Sequence, residues 1–240
     1  MIDIHCHLLP NIDDGSKSWE ESLEMVRIAI DDGITGAVVT PHWIQGTTWQ
    51  PHPDTVKALV WELNGRIEEH RLDFRVYPGM EVGIIPDLPR LIATGEILTL
   101  AESNFVLIEI PFYSLPMGLD EVIYGIGSLG KTAILAHPER SREFQRMPDS
   151  MIRLVGMGAL VQVTAGSLSG SFGEAARKCA LDFAQMDILH FVSSDSHSTK
   201  HRRPVVSNGL SVLEKNIGSE KVNEIIANSY KVIEPNNTKA

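Results

Sequence analysis

The chain has 240 residues, 43% of them hydrophobic, which suits a single folded domain and excludes wholesale disorder. Its 21 Lys+Arg and 31 Asp+Glu leave a formal net charge of -10, which excludes a domain whose main partner is a nucleic-acid backbone. Two cysteines, Cys6 and Cys179, cannot form the disulfide framework of a small secreted fold. The opening MIDIHCHLLP has no basic n-region or long apolar core, and no stretch approaches the roughly 20 apolar residues of a membrane span. A cytoplasmic protein without membrane insertion is expected.

In chain order, short apolar runs alternate with helical patterns. Strands are expected at 2–6, 36–40, 74–78, 105–110, 132–136, 159–163 and 190–194. Between the first two, Trp19, Leu23, Val26 and Ile30 share one helix face, with Ser18 and Glu21 spaced as a capping box and Gly33 as the stop. Val56, Leu59, Val60, Leu63 and Ile67 mark a second helix, and Ala176, Cys179, Ala180 and Phe183 a later one. Strand–helix–strand repetition implies parallel strands joined by crossovers. Runs such as VLIEI and TAILA are mostly apolar rather than alternating, as in strands covered on both faces. A closed β/α barrel and an open doubly wound sheet both fit. No linker or internal repeat interrupts the pattern, so one domain is expected over 1–235, with a frayed tail at 236–240.

The chemically informative residues stand at or just past the C-terminal ends of those strands: His5 and His7, His42, Glu81, Glu109, His137, Asp195 and His197. In α/β folds that edge is where active sites are built. His5 and His7 lie two apart on an extended strand and leave the same face, whereas Cys6 points away and reads as a small buried hydrophobe. A lone histidine is usually a hydrogen-bonded or exposed imidazole, but five histidines and three carboxylates at successive strand ends point to metal. Asp13 and Asp14, in NIDDG, also suit a turn before a helix. His52, His70, His190 and His201 lack partners at matching positions and read as structural or solvent-facing.

Imidazole with carboxylate and no thiolate suits Mn, Fe or Zn in a hydrolytic centre, so metal-assisted hydrolysis of a phosphate ester is the chemistry to expect. Two other phosphate signatures fail. GIGSLGKT, residues 125–132, matches GxxxxGK[ST], but a helix precedes it and a strand follows, the reverse of a P-loop. A cysteine phosphatase needs Arg six residues after its Cys, where this chain has Ile12 and Gln185.

The segments DIHCHLLPNIDDGSKSWEESLEM, TPH, PGMEV, IEIP, LAHPER and SSDSH span nearly the whole chain. They resemble the PHP-type (polymerase and histidinol phosphatase superfamily) metal-dependent protein-tyrosine phosphatases of bacterial capsule and exopolysaccharide loci. The resemblance implies a distorted (β/α)7-like, TIM-type barrel with three divalent ions, manganese first and Fe or Zn possible alternatives. It also implies a phosphotyrosine protein substrate, a bacterial tyrosine autokinase. By position, one ion is implied on His5, His7, Glu81 and Asp195, with Glu81 bridging to a second. Glu109 and His137 complete the second, and Asp14, His42 and His197 take the third, which singles out Asp14 over Asp13.

Arg140 matches the family's first phosphate-holding arginine, and HRRP offers Arg202 and Arg203 for the other. The implied reaction is direct in-line attack of metal-activated hydroxide on phosphorus, without a covalent enzyme intermediate. Such ions would let an acidic chain present a cationic pocket to phosphate. In the loop after His42, Trp43 and Trp49 either meet the substrate's phenol ring or anchor the loop. The competing readings are a small-molecule phosphoesterase, such as a histidinol-phosphate phosphatase, and a catalytically silent metal-binding module.

Overall fold

The computed structural model describes residues 1–234, so the tail expected at 236–240 lies outside the described residues. The strands are β1 (Ile2–Cys6), β2 (Gly36–Val39), β3 (His42–Trp43), β4 (Arg75–Pro78), β5 (Glu81–Gly83), β6 (Phe105–Glu109), β7 (Thr132–Ala136), β8 (Leu160–Thr164) and β9 (Phe191–Ser193). Around them run α1 (Trp19–Asp31), α2 (Pro53–Glu69), α3 (Leu88–Ala93), α4 (Leu119–Ser128) and α5 (Arg142–Arg146), then α6 (Ser150–Gly156), α7 (Ala165–Leu168), α8 (Glu174–Gln185), α9 (Ser207–Ile217) and α10 (Ser219–Lys231). All seven expected strands are present to within a residue or so at each end. The short β3 and β5 are additional.

Every ladder is parallel, in two sheets ordered β1-β2-β4 and β3-β5-β6-β7-β8-β9. The split is local. After β2 the chain breaks at Thr40–Pro41 and resumes as β3; after β4 it breaks beyond Pro78 and resumes as β5. Proline has no N–H for a ladder, which is why both strands bend there. With each bent pair counted as one, seven parallel segments follow one another in chain order. The last returns to the first through a Cys6–Ser196 bridge, where the His7 and Asp195 N–H groups donate to Ser196 O and His5 O, both at 2.9 Å. That closure makes the fold a distorted barrel rather than an open doubly wound sheet.

The inward faces of β1, β2, β6, β7 and β9 form their own apolar cluster, including Ile4, Val38, Leu107, Ile134 and Phe191, separate from the larger core under the helices. β1 carries a bulge: Asp3 lies opposite Ala37 and Cys6 opposite Val39, three steps against two. The extra residue lets Ile4 join the apolar interior while the next residue, His5, reaches the polar end of the barrel.

Local signals hold in detail. Ser18 caps α1, its Oγ accepting from the Glu21 N–H at 3.2 Å, while the Glu21 carboxylate accepts from Lys17 N–H at 2.9 Å, one residue before the usual capping-box donor. α4 is followed by Gly130 at φ +68°, the left-handed position after a helix end, and then by β7. GIGSLGKT thus runs helix, turn, strand and forms no P-loop. No helix among the described residues is long and apolar enough to cross a membrane.

Candidate metal centre

Nine side chains from the C-terminal ends of the barrel segments converge. His5 and His7 come from the end of β1, Asp14 from the loop before α1, His42 from β3, Glu81 from β5 and Glu109 from β6. His137 follows β7, and Asp195 and His197 follow β9. Their ligand atoms fall into four overlapping groups with all atoms of a group within 4.8 Å: His7, Asp14, His42 and His197; His5, His7 and Glu81; His5, His137 and Asp195; and His42, Glu81 and Glu109. All nine residues implied by the resemblance are in this set. The grouping differs in that His7 also lies with the Asp14 group, His137 lies with His5 and Asp195, and His42 also lies with Glu81 and Glu109.

Glu81 is the hub. Its Oε2 lies 3.2 Å from His5 Nε2, 3.4 Å from His7 Nε2 and 3.0 Å from His42 Nδ1, and its Oε1 lies 2.8 Å from His137 Nε2. Asp195 Oδ1 sits 3.5 Å from His5 Nε2 and 3.6 Å from His7 Nε2. On the outer side Asp14 Oδ1 faces His197 Nε2 at 3.3 Å and His42 Nε2 at 3.5 Å. Although crowded by ring nitrogens, Glu81 Oε2 and His42 Nδ1 are buried with no hydrogen-bond partner. Buried polar atoms without partners are costly. Oxygens and imidazole nitrogens aimed at a common centre without bonding one another fit divalent cations.

Residues behind these side chains hold them. The Asp13 carboxylate lies 2.7 Å from His7 Nδ1 and also accepts from the backbone N–H groups of His42 at 3.0 Å and Gly15 at 2.9 Å. Asp13 is therefore more than a turn former: it directs His7 Nε2 inward, as an outer carboxylate does for a metal-binding imidazole. A Cβ at Gly15 would stand 2.4 Å from His7 O, so only glycine lets the NIDDG loop fold back this closely. His5 Nδ1 faces Gln162 Oε1 at 2.9 Å. His137 and Asp195 both have left-handed backbones, at φ 34° and 50°, conformations that residues with side chains hold only where the surrounding structure enforces them.

Electrostatics follow from burial. Burial alone would raise Glu81 and Asp195, but His5 and the other groups around each outweigh it and hold both well below the usual carboxylate range. Burial likewise opposes ionisation of Asp14, yet its bond to His197 and the nearby imidazoles bring it down to about 2. Burial and then the Glu81 charge push Glu109 up to about 7. Burial and the Arg140 guanidinium push His137 down to about 4. The inner carboxylates thus stay ionised and draw positive charge to their centre.

The phosphate-binding expectations separate here. Arg140 donates to Thr164 Oγ1 at 2.8 Å and to Asp195 Oδ2, and its guanidinium lies 3.8 Å over the Phe172 ring. Arg202 pairs with Asp195 Oδ1 at 2.5 Å and donates from Nε to Asp195 O at 3.2 Å. Both line a cavity of about 470 Å³ with Asp14, His42, Glu109 and His137. Arg203 is exposed and lines a neighbouring cavity instead. The two tryptophans divide as well: Trp43 is buried in the core, whereas Trp49 stacks on His42, with ring centroids 5.2 Å apart, and lines the site cavity.

The other histidines lie apart from the centre. His52 caps α2, accepting from Asp54 N–H at 3.3 Å, and His190 Nδ1 accepts from Val161 N–H at 3.1 Å; His70 and His201 are exposed. Residues missed in the sequence are Gln162, Thr164, Phe112 and Phe172. A glutamine between two buried valines in the LVQVT strand is a legible signal.

Comparison with known proteins places these features in a family. Tyrosine-protein phosphatase YwqE of Bacillus subtilis is 37% identical over 220 residues, covering 92% of this chain and 86% of its own. Tyrosine-protein phosphatase CpsB of Streptococcus pneumoniae is 28% identical over 239 residues, covering 97% and 98%. A crystal structure from work on those two proteins, described as unique metal-dependent tyrosine phosphatases, superposes with a TM-score of 0.93 at 35% identity, covering 97% of this chain and 94% of that one. The model of the family described as capsular polysaccharide synthesis, CpsB/CapC, matches residues 1–234, and the chain belongs to that family.

Proposed function

We propose that this chain is a metal-dependent protein-tyrosine phosphatase, a phosphoric monoester hydrolase whose centre holds three divalent ions, manganese foremost. The observation that carries the reading is Glu81 Oε2, buried without a hydrogen-bond partner yet within 3.4 Å of three imidazole nitrogens. His5, His7, Glu81 and Asp195 would hold one ion, Glu81 with Glu109 and His137 a second, and Asp14, His42 and His197 a third. When bound, such ions acidify water and polarise a phosphoryl oxygen.

The chain's own residues supply the rest. Arg140 and Arg202, anchored on Asp195, present guanidinium groups to the non-bridging oxygens of a phosphate and offset their charge. Trp49 and Phe112, which line the same cavity, offer aromatic faces to a phenol ring. Tyrosine leaves readily, its pKa being about 10, so a strong general acid is dispensable.

The substrate is a phosphotyrosine protein, taken as a bacterial tyrosine kinase that governs polysaccharide synthesis, in the cytoplasm. The relatives' names support the phosphotyrosine substrate, and the family's description supports the tie to polysaccharide synthesis. Elemental analysis of the purified protein beside a phosphotyrosine-peptide assay with added manganese tests it. Bound divalent metal and manganese-stimulated phosphate release are expected. Finding neither, or finding histidinol phosphate turned over faster than the peptide, would overturn the reading.

A further inference from the structure

A second cavity, of about 450 Å³, adjoins the metal centre across a wall formed by Arg202 and Phe172. The proposed hydrolysis does not use it. Lys200, Arg202 and Arg203 line it with Ser169 and Asn208, and its lining holds no carboxylate. In a chain of net charge -10 this is a local reversal of sign. Arg202 is engaged by Asp195, whereas Lys200 and Arg203 are exposed and form no ion pair among the described residues. Their charge is available to a ligand.

The cavity that adjoins the centre through Ile44, Glu109 and Phe112 differs. It is lined mainly by apolar side chains such as Ile84, Ile85 and Pro111, and its one charged group is the Glu109 carboxylate. The surroundings of the centre are therefore asymmetric: one neighbouring cavity is cationic and one is apolar. Adjacent residues of an extended peptide are about 3.3 Å apart, so with a phosphotyrosine in the centre, side chains one or two positions away fall where these cavities open.

We infer that the Lys200–Arg203 cavity takes an anionic side chain, a carboxylate or a phosphoryl group, that flanks the phosphotyrosine on one side of the substrate peptide. The inference rests on the phosphatase reading above and deepens it into a sequence preference. Two unpaired cations on an accessible surface attract such a group modestly and in a salt-dependent way, with an expected preference of about three- to tenfold.

The test uses the full chain with manganese. Its probes are phosphotyrosine peptides flanked by alanine, by glutamate before the phosphotyrosine, by glutamate after it, or by a second phosphotyrosine at the favoured place. Glutamate on one flank and not the other should raise kcat/KM through KM, less so at high salt. A further gain with the second phosphotyrosine identifies phosphoryl as the preferred anion; no gain identifies carboxylate.

In K200A/R203A the preference should fall to about one, and the single exposed substitution Lys200→Glu should shift it toward a lysine-flanked peptide. Turnover without any flank preference in the unmodified protein, or a preference that survives both variants, would overturn the inference and leave the phosphatase reading standing. No turnover of any peptide would overturn both.

Discussion

The interior of the barrel has two layers built on the same strand faces. Below lie Ile4, Leu107, Ile134 and Phe191, buried and without side-chain polar atoms. Above, farther along the same strands, lie His5, Glu109, Gln162, Thr164 and, just past β9, Asp195. Leu107 and Glu109 share one face of β6 because the side-chain period of a strand is two. The lower layer contributes burial, about 1.5–3 kcal/mol for each large apolar side chain. The upper layer crowds carboxylates and imidazoles out of water, which opposes folding unless charge is compensated there. One face thus carries stability and chemistry in series, and substitutions in the two layers should fail in different ways.

The largest effect is expected at the hub of the upper layer. Glu81→Ala removes the carboxylate that four imidazoles approach, so metal content and phosphatase activity should both fall to background while the barrel stays folded by circular dichroism. Retention of full metal content would break the contrast. The matching change below, Leu107→Ala, should lower unfolding free energy by about 2–5 kcal/mol, measured by denaturant titration of the metal-loaded protein, with metal content retained. Asp13 separates the two layers further, because it touches the chemistry only through His7 Nδ1 and the His42 backbone. Asp13→Asn should weaken metal affinity by about 10- to 100-fold, read by competition with a chelator, and excess manganese should restore much of the activity.

How far this arrangement was legible in the sequence follows from the range of each signal. The HxH spacing, the strand-end carboxylates and the seven apolar runs are local, and their pattern survives folding unchanged. β3 and β5 were not legible, because two or three residues carry no periodicity and these strands exist only where prolines bend longer ones. Asp13 was ambiguous because Asp-Asp-Gly is equally good turn chemistry; its role depends on His7, which the bulge and Gly15 bring against it. Arg202 and Arg203 stayed open because spacing favours Arg202 and the neighbouring Pro204 favours Arg203; that Arg202, at φ 48°, pairs with Asp195 is a contact made only in the folded chain.

The smallest effect concerns the residue between the two histidines. Cys6 occupies a position where a nucleophile would be conspicuous, yet its side chain joins the core under the helices, is fully buried, and donates from Sγ to Val38 O at 3.4 Å. His5 and His7 face the centre from the opposite side of the strand, so no phosphate in the site cavity reaches this sulfur. Cys6→Ser keeps the hydrogen bond and nearly the same volume, and should change stability by no more than about 1 kcal/mol while retaining most of the turnover. If the serine variant bound its full complement of metal but lost phosphatase activity, attack would have to pass through the thiol, and the division between a supporting face and a reacting face of β1 would fail at its central residue.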